Sequence, residues 1–258
     1  MTSTFTSYSL LARDLDATLA RKAAQPDVAR ETAYYKAKIG DVKSIDDFLG
    51  DRRLYAYAMK AYGLEDMTYA KAFMRKVLTE GVSDSKAFAN RLADDRYVAF
   101  AKAFDFNTYG AFTTTLPATT TDTTAAYLRQ SLETDAGSED AGVRLALYFA
   151  RMAPTVTSGY GVLGDPALSQ VIKTVLGLPD VSSADGIANQ AAIIERRVDL
   201  ASFKDPDKLQ RFVQRFTAIW DAQNNATAAP VLNLFADSAT QGLDASLLLS
   251  LQRIRTGN

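Results

Sequence analysis

The chain carries 30 Asp and Glu residues but no histidine and no cysteine, so any chemistry it performs must run on carboxylates, Lys, Tyr, Ser or Thr. That excludes a Ser–His triad, an imidazole acid or base near neutral pH, a thiolate nucleophile, a disulfide framework and the common zinc sites. Two sets of acids have suggestive spacing. Asp51, Asp94, Asp165 and Asp205 each stand just before an amphipathic run, and Glu133, Asp135, Glu139 and Asp140 cluster within one short stretch. The first set could form a shared acid or metal centre. For these aspartates helix capping is the stronger reading, since a short acceptor before a helix satisfies its orphan amide donors and caps on separate helices need not converge. The second set could supply a carboxylate pair for glycoside hydrolysis. It falls in an expected interhelical turn with Gly and Ser, where solvation explains it better.

Four further motifs are weighed in the same way. Gly159-Tyr160-Gly161-Val162-Leu163-Gly164 spells a dinucleotide-binding fingerprint, but only Thr155-Val156-Thr157 could serve as the strand such a loop must follow. Asp105 to Leu116 has a weak calcium-loop pattern that fails at Tyr109 and at Leu116, where a bidentate Glu belongs; Asp180 to Gly186 fails likewise. Lys204, Lys208, Arg211 and Arg215 form a basic stripe beside Phe212, Phe216 and Trp220. Nucleic-acid contact would use such a stripe, but a solvated outer face with the aromatics packed inward fits the overall charge better. No catalytic, cofactor-binding or metal-ligating residue is assigned.

The elements that would position these groups repeat. Residues 30–66 laid without gaps on 144–180 are identical at Arg30/Arg144, Tyr34/Tyr148, Val42/Val156, Ser44/Ser158, Leu49-Gly50-Asp51/Leu163-Gly164-Asp165, Leu54/Leu168, Gly63-Leu64/Gly177-Leu178 and Asp66/Asp180. Chance would give about three such identities, so a duplicated unit is expected. After each of the four aspartates, apolar residues recur at i, i+3, i+4 and i+7, as in Leu54/Tyr57/Ala58/Ala61 and Leu168/Val171/Ile172/Val175, which is one face of an α-helix. Pro166 and Pro206 suit a first helical position, and Gly63 and Gly177 suit a left-handed C-terminal cap.

In chain order, the pattern predicts one helix over about 9–24 ended by Pro26, then a helix over 28–39 capped by Asp27. A capping box at Ser44-Ile45-Asp46-Asp47 opens a short helix. Further helices are expected over 66–80, 85–93 and 95–106, then 123–133, 138–152 and 183–198, with a tail of 231–236 and an amphipathic 244–254. The Thr-rich run at 113–121 reads as irregular, since β-branching and hydroxyl–backbone bonding compete with helix. The expected class is all-α, a multi-helix bundle with an N-terminal helical repeat at 1–110, a Thr-rich linker at 111–122 and a C-terminal repeat plus helix at 123–258.

A net charge of −1 argues against broad capture of nucleic acid or anionic membrane. The apolar runs are too short for a membrane span, and the start lacks a basic region and a signal core, so a cytoplasmic origin is the default. Ser9 to Leu15, Gln25-Pro26 with Arg30 to Tyr35, Ser44 to Leu49, Ala61 to Asp66 and Lys76 to Gly81 carry a family likeness. Over about 9–106, and more loosely beyond, the chain resembles an alphaproteobacterial family of uncharacterised function whose genes often lie among flagellar genes. The resemblance implies a link to flagellar assembly or motility and brings no site residues. The first expectation is a non-enzymatic helical interaction protein, an adaptor, chaperone-like factor or structural subunit. It would bind a flagellar or other protein partner through its helices, remaining in the cytoplasm or being exported without a signal peptide. The alternatives are a carboxylate-based peptidoglycan hydrolase and a nucleic-acid-binding regulator.

Overall fold

A computed structural model describes residues 2–92 and 94–224; the expected segments 231–236 and 244–254 lie outside them. Every element among the described residues is helical. The chain opens with α1 (Thr4–Ala12) and α2 (Leu15–Ala23), where one continuous helix is expected. Asp14 makes the break: its backbone is non-helical and its carboxylate accepts from the Ala17 amide at 3.0 Å, capping α2 afresh. α2 ends at Ala23, before Pro26 as expected, and Pro26 also begins α3 (Pro26–Lys38), placing Asp27 inside the first turn rather than at the cap.

The first half continues with α4 (Ile45–Gly50), α5 (Arg52–Ala61), α6 (Lys71–Glu80), α7 (Asp95–Ala103) and the single turn α8 (Phe106–Tyr109). The capping box forms with its return bond one residue early. Ser44 Oγ accepts from Asp47 N at 3.1 Å, and the Asp47 carboxylate reaches back to Lys43 N at 3.1 Å. α5 buries Leu54, Tyr55, Tyr57, Ala58, Met59 and Ala61, so its stripe is the inner face of the first core. Phe48 stacks on Phe104 at 4.7 Å within that core, and a second column runs Tyr35, Tyr57, Tyr127 at 4.3 and 3.7 Å. Each fully buried apolar side chain of this size contributes about 1.5–3 kcal/mol. Two expected helices are shorter than their patterns. The 66–80 stretch begins with an isolated 3-10 turn and becomes α6 only at Lys71. Of the described residues of 85–93, which stop at 92, only Ala89–Arg91 forms a 3-10 turn. There Asn90 Nδ2 donates to the Val82 and Asp84 carbonyls and Glu80 accepts from Phe88 N, tying the backbone into a loop instead.

The Thr-rich run packs as part of the body and is not an exposed tether. Thr113, Thr114 and Thr119 are buried, in a 3-10 segment and a π-helical turn (Ala118–Asp122). Their hydroxyls are used: Thr114 donates to Val42 O, Thr119 to Thr113 O, and Tyr35 Oη donates to Thr119 O at 2.5 Å. The turn leads into α9 (Thr123–Glu139), the helix on which the molecule is built. α9 lies against α5 and α2 on one side and α10 (Ala141–Met152) on the other. Gln130, Ser131, Leu132 and Glu133 are all buried in succession, so this part of α9 is enclosed all round. The turn expected at 133–140 is therefore corrected: helix continues to Glu139 and changes direction only at Asp140.

The second half adds α11 (Gly159–Gly164), α12 (Pro166–Leu176), α13 (Ala184–Arg197) and α14 (Pro206–Asn224). Its core gathers Val143, Leu147, Phe149, Leu168, Ile172, Ile194, Val213 and Phe216. Tyr8 of α1 belongs to this second core, so α1 packs with α10 and α14 and not with the N-terminal repeat to which 1–110 assigned it. Thr4 fixes it there: its hydroxyl donates to Asp140 Oδ2 at 2.6 Å and its amide to Asp221 Oδ1 at 2.8 Å. The order of α10, α11, α12 and α13 follows that of α3, α4, α5 and α6, with Ile45–Gly50 answered at Gly159–Gly164. Ser158 caps α11 as Ser44 caps α4. Gly177 closes α12 with φ 66°, as Gly63 follows α5 with φ 68°. The amides of Leu64 and Leu178 reach back to Met59 O and Lys173 O, the bond that closes a helix after a left-handed residue.

Candidate functional site

Most of the acids that sequence spacing singles out serve helix ends. Asp51 Oδ1 accepts from Arg53 N and Leu54 N, Asp94 from Arg96 N, Asp165 from Ala167 N and Leu168 N, and Asp205 from Asp207 N and Lys208 N. Asp140 does the same for Gly142 N at 2.7 Å. The helix amides and, for Asp51, the Tyr34 hydroxyl outweigh burial and hold the Asp51 carboxyl below the usual range; Arg96 does so for Asp94. Among the described residues no group of three or more acids is placed to hold a metal.

Glu133 is different. Its side chain is 1% exposed, and guanidiniums hold both oxygens. Arg129 Nε donates to Oε1 at 3.1 Å, and Arg151 donates through Nε to Oε1 at 2.9 Å and through Nη2 to Oε2 at 2.7 Å. One turn of α9 places Arg129 beside Glu133, and α10 returns alongside to bring Arg151. Burial lowers the Arg151 affinity for its proton, but the bonds and charge of Glu133 outweigh it and the net shift is upward. The rest of the acidic cluster disperses: Asp135 pairs with Lys22 and Asp140 caps α10. Sequence spacing places Glu133 in the acidic cluster but misses its pairing, because Arg129 stands one turn earlier on α9 and Arg151 comes from α10.

The two arginines line a cleft of about 270 Å³ whose other walls are Tyr8, Ala12, Leu15, Leu147 and Ala150. Arg129 Nη2 is fixed on Leu147 O at 3.1 Å, while its Nη1 makes no hydrogen bond among the described residues. The Tyr8 hydroxyl is raised above its ordinary value by burial, and Arg129 partly offsets this. Farther along, two matched pairs brace the halves. Tyr34 Oη donates to Asp51 Oδ2 at 2.8 Å with Arg53 over the Tyr34 ring at 4.1 Å. Tyr148 Oη donates to Asp165 Oδ2 at 2.5 Å with Arg151 over the Tyr148 ring at 5.1 Å. Burial first, then the Asp165 bond, pushes Tyr148 up; for Tyr34 the Asp51 bond leads.

The remaining motifs resolve structurally. Gly159 opens α11 against the backbone of α13, where an added Cβ would fall 2.9 Å from Ala191 Cα, and its amide donates to Glu195 Oε1 at 2.7 Å. A side-chain carboxylate thus holds the place a pyrophosphate would take in a dinucleotide loop. Asp105 caps α8, accepting from Thr108 N at 3.0 Å, in place of any calcium loop. Lys204, Lys208, Arg211 and Arg215 all face solvent, while Phe216 is buried and Phe212 stacks on Phe149 at 5.3 Å. No described helix is long and apolar enough to cross a membrane. One exposed stretch stands out: Asn107 to Phe112 faces solvent throughout, with Tyr109 49% and Phe112 75% exposed, and Gly110 at φ 51° makes the corner that presents them.

Fold and site together define an all-α protein whose two helical cores share one central helix, with aspartates at its helix ends and Glu133 buried between two arginines. The chain belongs to the DUF1217 family, proteins of unknown function, whose model matches residues 61–209. It is also similar to the X-ray crystal structure of a protein from Agrobacterium tumefaciens, at 51% sequence identity and a TM-score of 0.80, over 87% of this chain and 97% of that one. The comparison with curated proteins gives no match.

Proposed function

We propose that the chain is a non-enzymatic helical interaction protein serving flagellar assembly or motility, built from a duplicated helical unit. The observation that carries the interaction role is the exposed corner at Tyr109 and Phe112. Phe112, three-quarters exposed, and Tyr109, about half exposed, stand outside both cores on a cornered backbone and suit a partner surface. The employment of the carboxylates supports the non-enzymatic part. The hydrolase alternative needs two convergent acids, one available as a proton donor, whereas both Glu133 oxygens are occupied by guanidiniums and the aspartates cap helices.

The duplication is supported by the matched Ser44/Ser158 caps, Asp51/Asp165 caps, Tyr34–Asp51 and Tyr148–Asp165 bonds and Gly63/Gly177 turns, which fall at one constant sequence offset. The flagellar assignment rests on the family resemblance of residues 9–106. The test is deletion of the gene in a motile cell together with isolation of the chain's partners under motile and non-motile growth. Impaired swimming and recovery of a flagellar component support the proposal. Normal swimming with no flagellar component recovered defeats it.

A further inference from the structure

We propose that the cleft between α1, α9 and α10 is a binding site for a carboxylate carried on a short aliphatic body, such as a free organic acid or the C-terminal residue of a peptide. The inference rests on the geometry of this cleft and is independent of the flagellar reading. Charge sets the head group. Two guanidiniums, Arg129 and Arg151, share one carboxylate, Glu133, leaving one positive charge unmatched within the triad beside a cleft they both line. Arg129 Nη1 makes no hydrogen bond among the described residues, and it is the group that would take an incoming carboxylate oxygen. Asp165 also acts on Arg151, so the charge left for a ligand is at most the one on Arg129, which suits a monoanion. A phosphate dianion would meet Glu133 with no second cation left to compensate.

The walls set the body. Ala12, Leu15, Leu147 and Ala150 offer only carbon, and Tyr8 presents a ring edged by its hydroxyl. A cleft of about 270 Å³ lies just under the usual pocket range of about 300–1,000 Å³, so the ligand is a fragment and not a nucleotide. Because Glu133 already orders both arginines, the receptor is set before the ligand arrives and little is lost in arranging it.

The full chain would be titrated calorimetrically with hexanoate, with hexanamide, and with a tripeptide ending in leucine, its C-terminus free or amidated. The proposal expects saturable binding of at least one free acid at or below about 1 mM, with its amide at least about tenfold weaker. Ala150→Phe fills the cleft without touching a charge and should weaken the acid about tenfold with an unchanged circular dichroism spectrum; Ala12→Phe, from the opposite wall, repeats the test. A preference for the peptide identifies a chain terminus as the source and a preference for hexanoate a free acid; either supports the shared chemistry. Absence of saturable binding, equal binding of acid and amide, or binding unchanged in both folded cleft-filling variants overturns it.

Discussion

Replacing Glu133 with Gln should be among the most destabilising single changes of a polar residue in this chain. The side chain is 1% exposed and takes three charge-assisted bonds from Arg129 and Arg151, at 3.1, 2.9 and 2.7 Å. Gln keeps the shape but removes the charge, leaving two guanidiniums facing each other across a neutral amide. Breaking a buried ion group by removing one partner costs about 3–5 kcal/mol. The arginine side chains are 14% and 35% exposed and both border the cleft, so they relax partly into water. The lower end, about 3 kcal/mol, is therefore expected. With a urea slope of about 2–3 kcal/mol/M, the midpoint should fall by about 1–1.5 M. Added salt should change this difference little, because enclosed charges are weakly screened. Combining Glu133→Leu with Arg129→Met and Arg151→Met should recover most of the loss, since an apolar replacement of a whole buried triad is close to neutral. A Glu133→Gln loss under about 1 kcal/mol in urea unfolding followed by circular dichroism would refute the reasoning, because it is the cost of a solvated surface pair.

The glycines of the fingerprint should separate cleanly. Gly159→Ala drives a methyl into the Ala191 backbone and should cost about 3 kcal/mol, lowering Tm by about 6–10 °C, whereas Gly161→Ala meets Ser158 Oγ only at 3.3 Å and should stay within about 1 kcal/mol of wild type. Tyr34→Phe and Tyr148→Phe each remove a bond to a carboxylate; Tyr148→Phe should cost about 1–2 kcal/mol, and Tyr34→Phe less, because burial dominates only the Tyr148 environment. Stability should be flat between about pH 5.5 and 7.5, since there is no histidine to titrate there. It should fall below about pH 4: Glu31, Asp47, Asp51 and Asp94 hold their protons less tightly folded than unfolded, so the unfolded chain binds more protons there and acid favours it. A guanidine titration series across pH 3–8 measures this.

The parts legible in the sequence are those governed by local rules. The aspartate and serine caps, the left-handed glycines and the four amphipathic stripes each depend on residues within one or two turns, and all but the Asp27 cap form where their spacing places them. Asp14 fits a cap by the same rule, but Leu11, Leu15 and Leu19, spaced four apart, run through it as one helical stripe. What could not be read depends on the third dimension. Thr113, Thr114 and Thr119 have poor helix propensity and a polar composition, yet tertiary carbonyls and each other's backbone satisfy their hydroxyls, so they pack inside. Around Glu133, α9 has no polar face for periodicity to detect because it is covered on every side. Its role follows from Arg151, supplied by the next helix.

The interaction role is tested most directly by photo-crosslinking from the Phe112 position in motile cells, with Arg211 on the exposed basic stripe as the comparison. The account predicts a discrete crosslinked partner at Phe112 that contains a flagellar component and is absent at Arg211. The same weak, nonspecific products from both positions would contradict it.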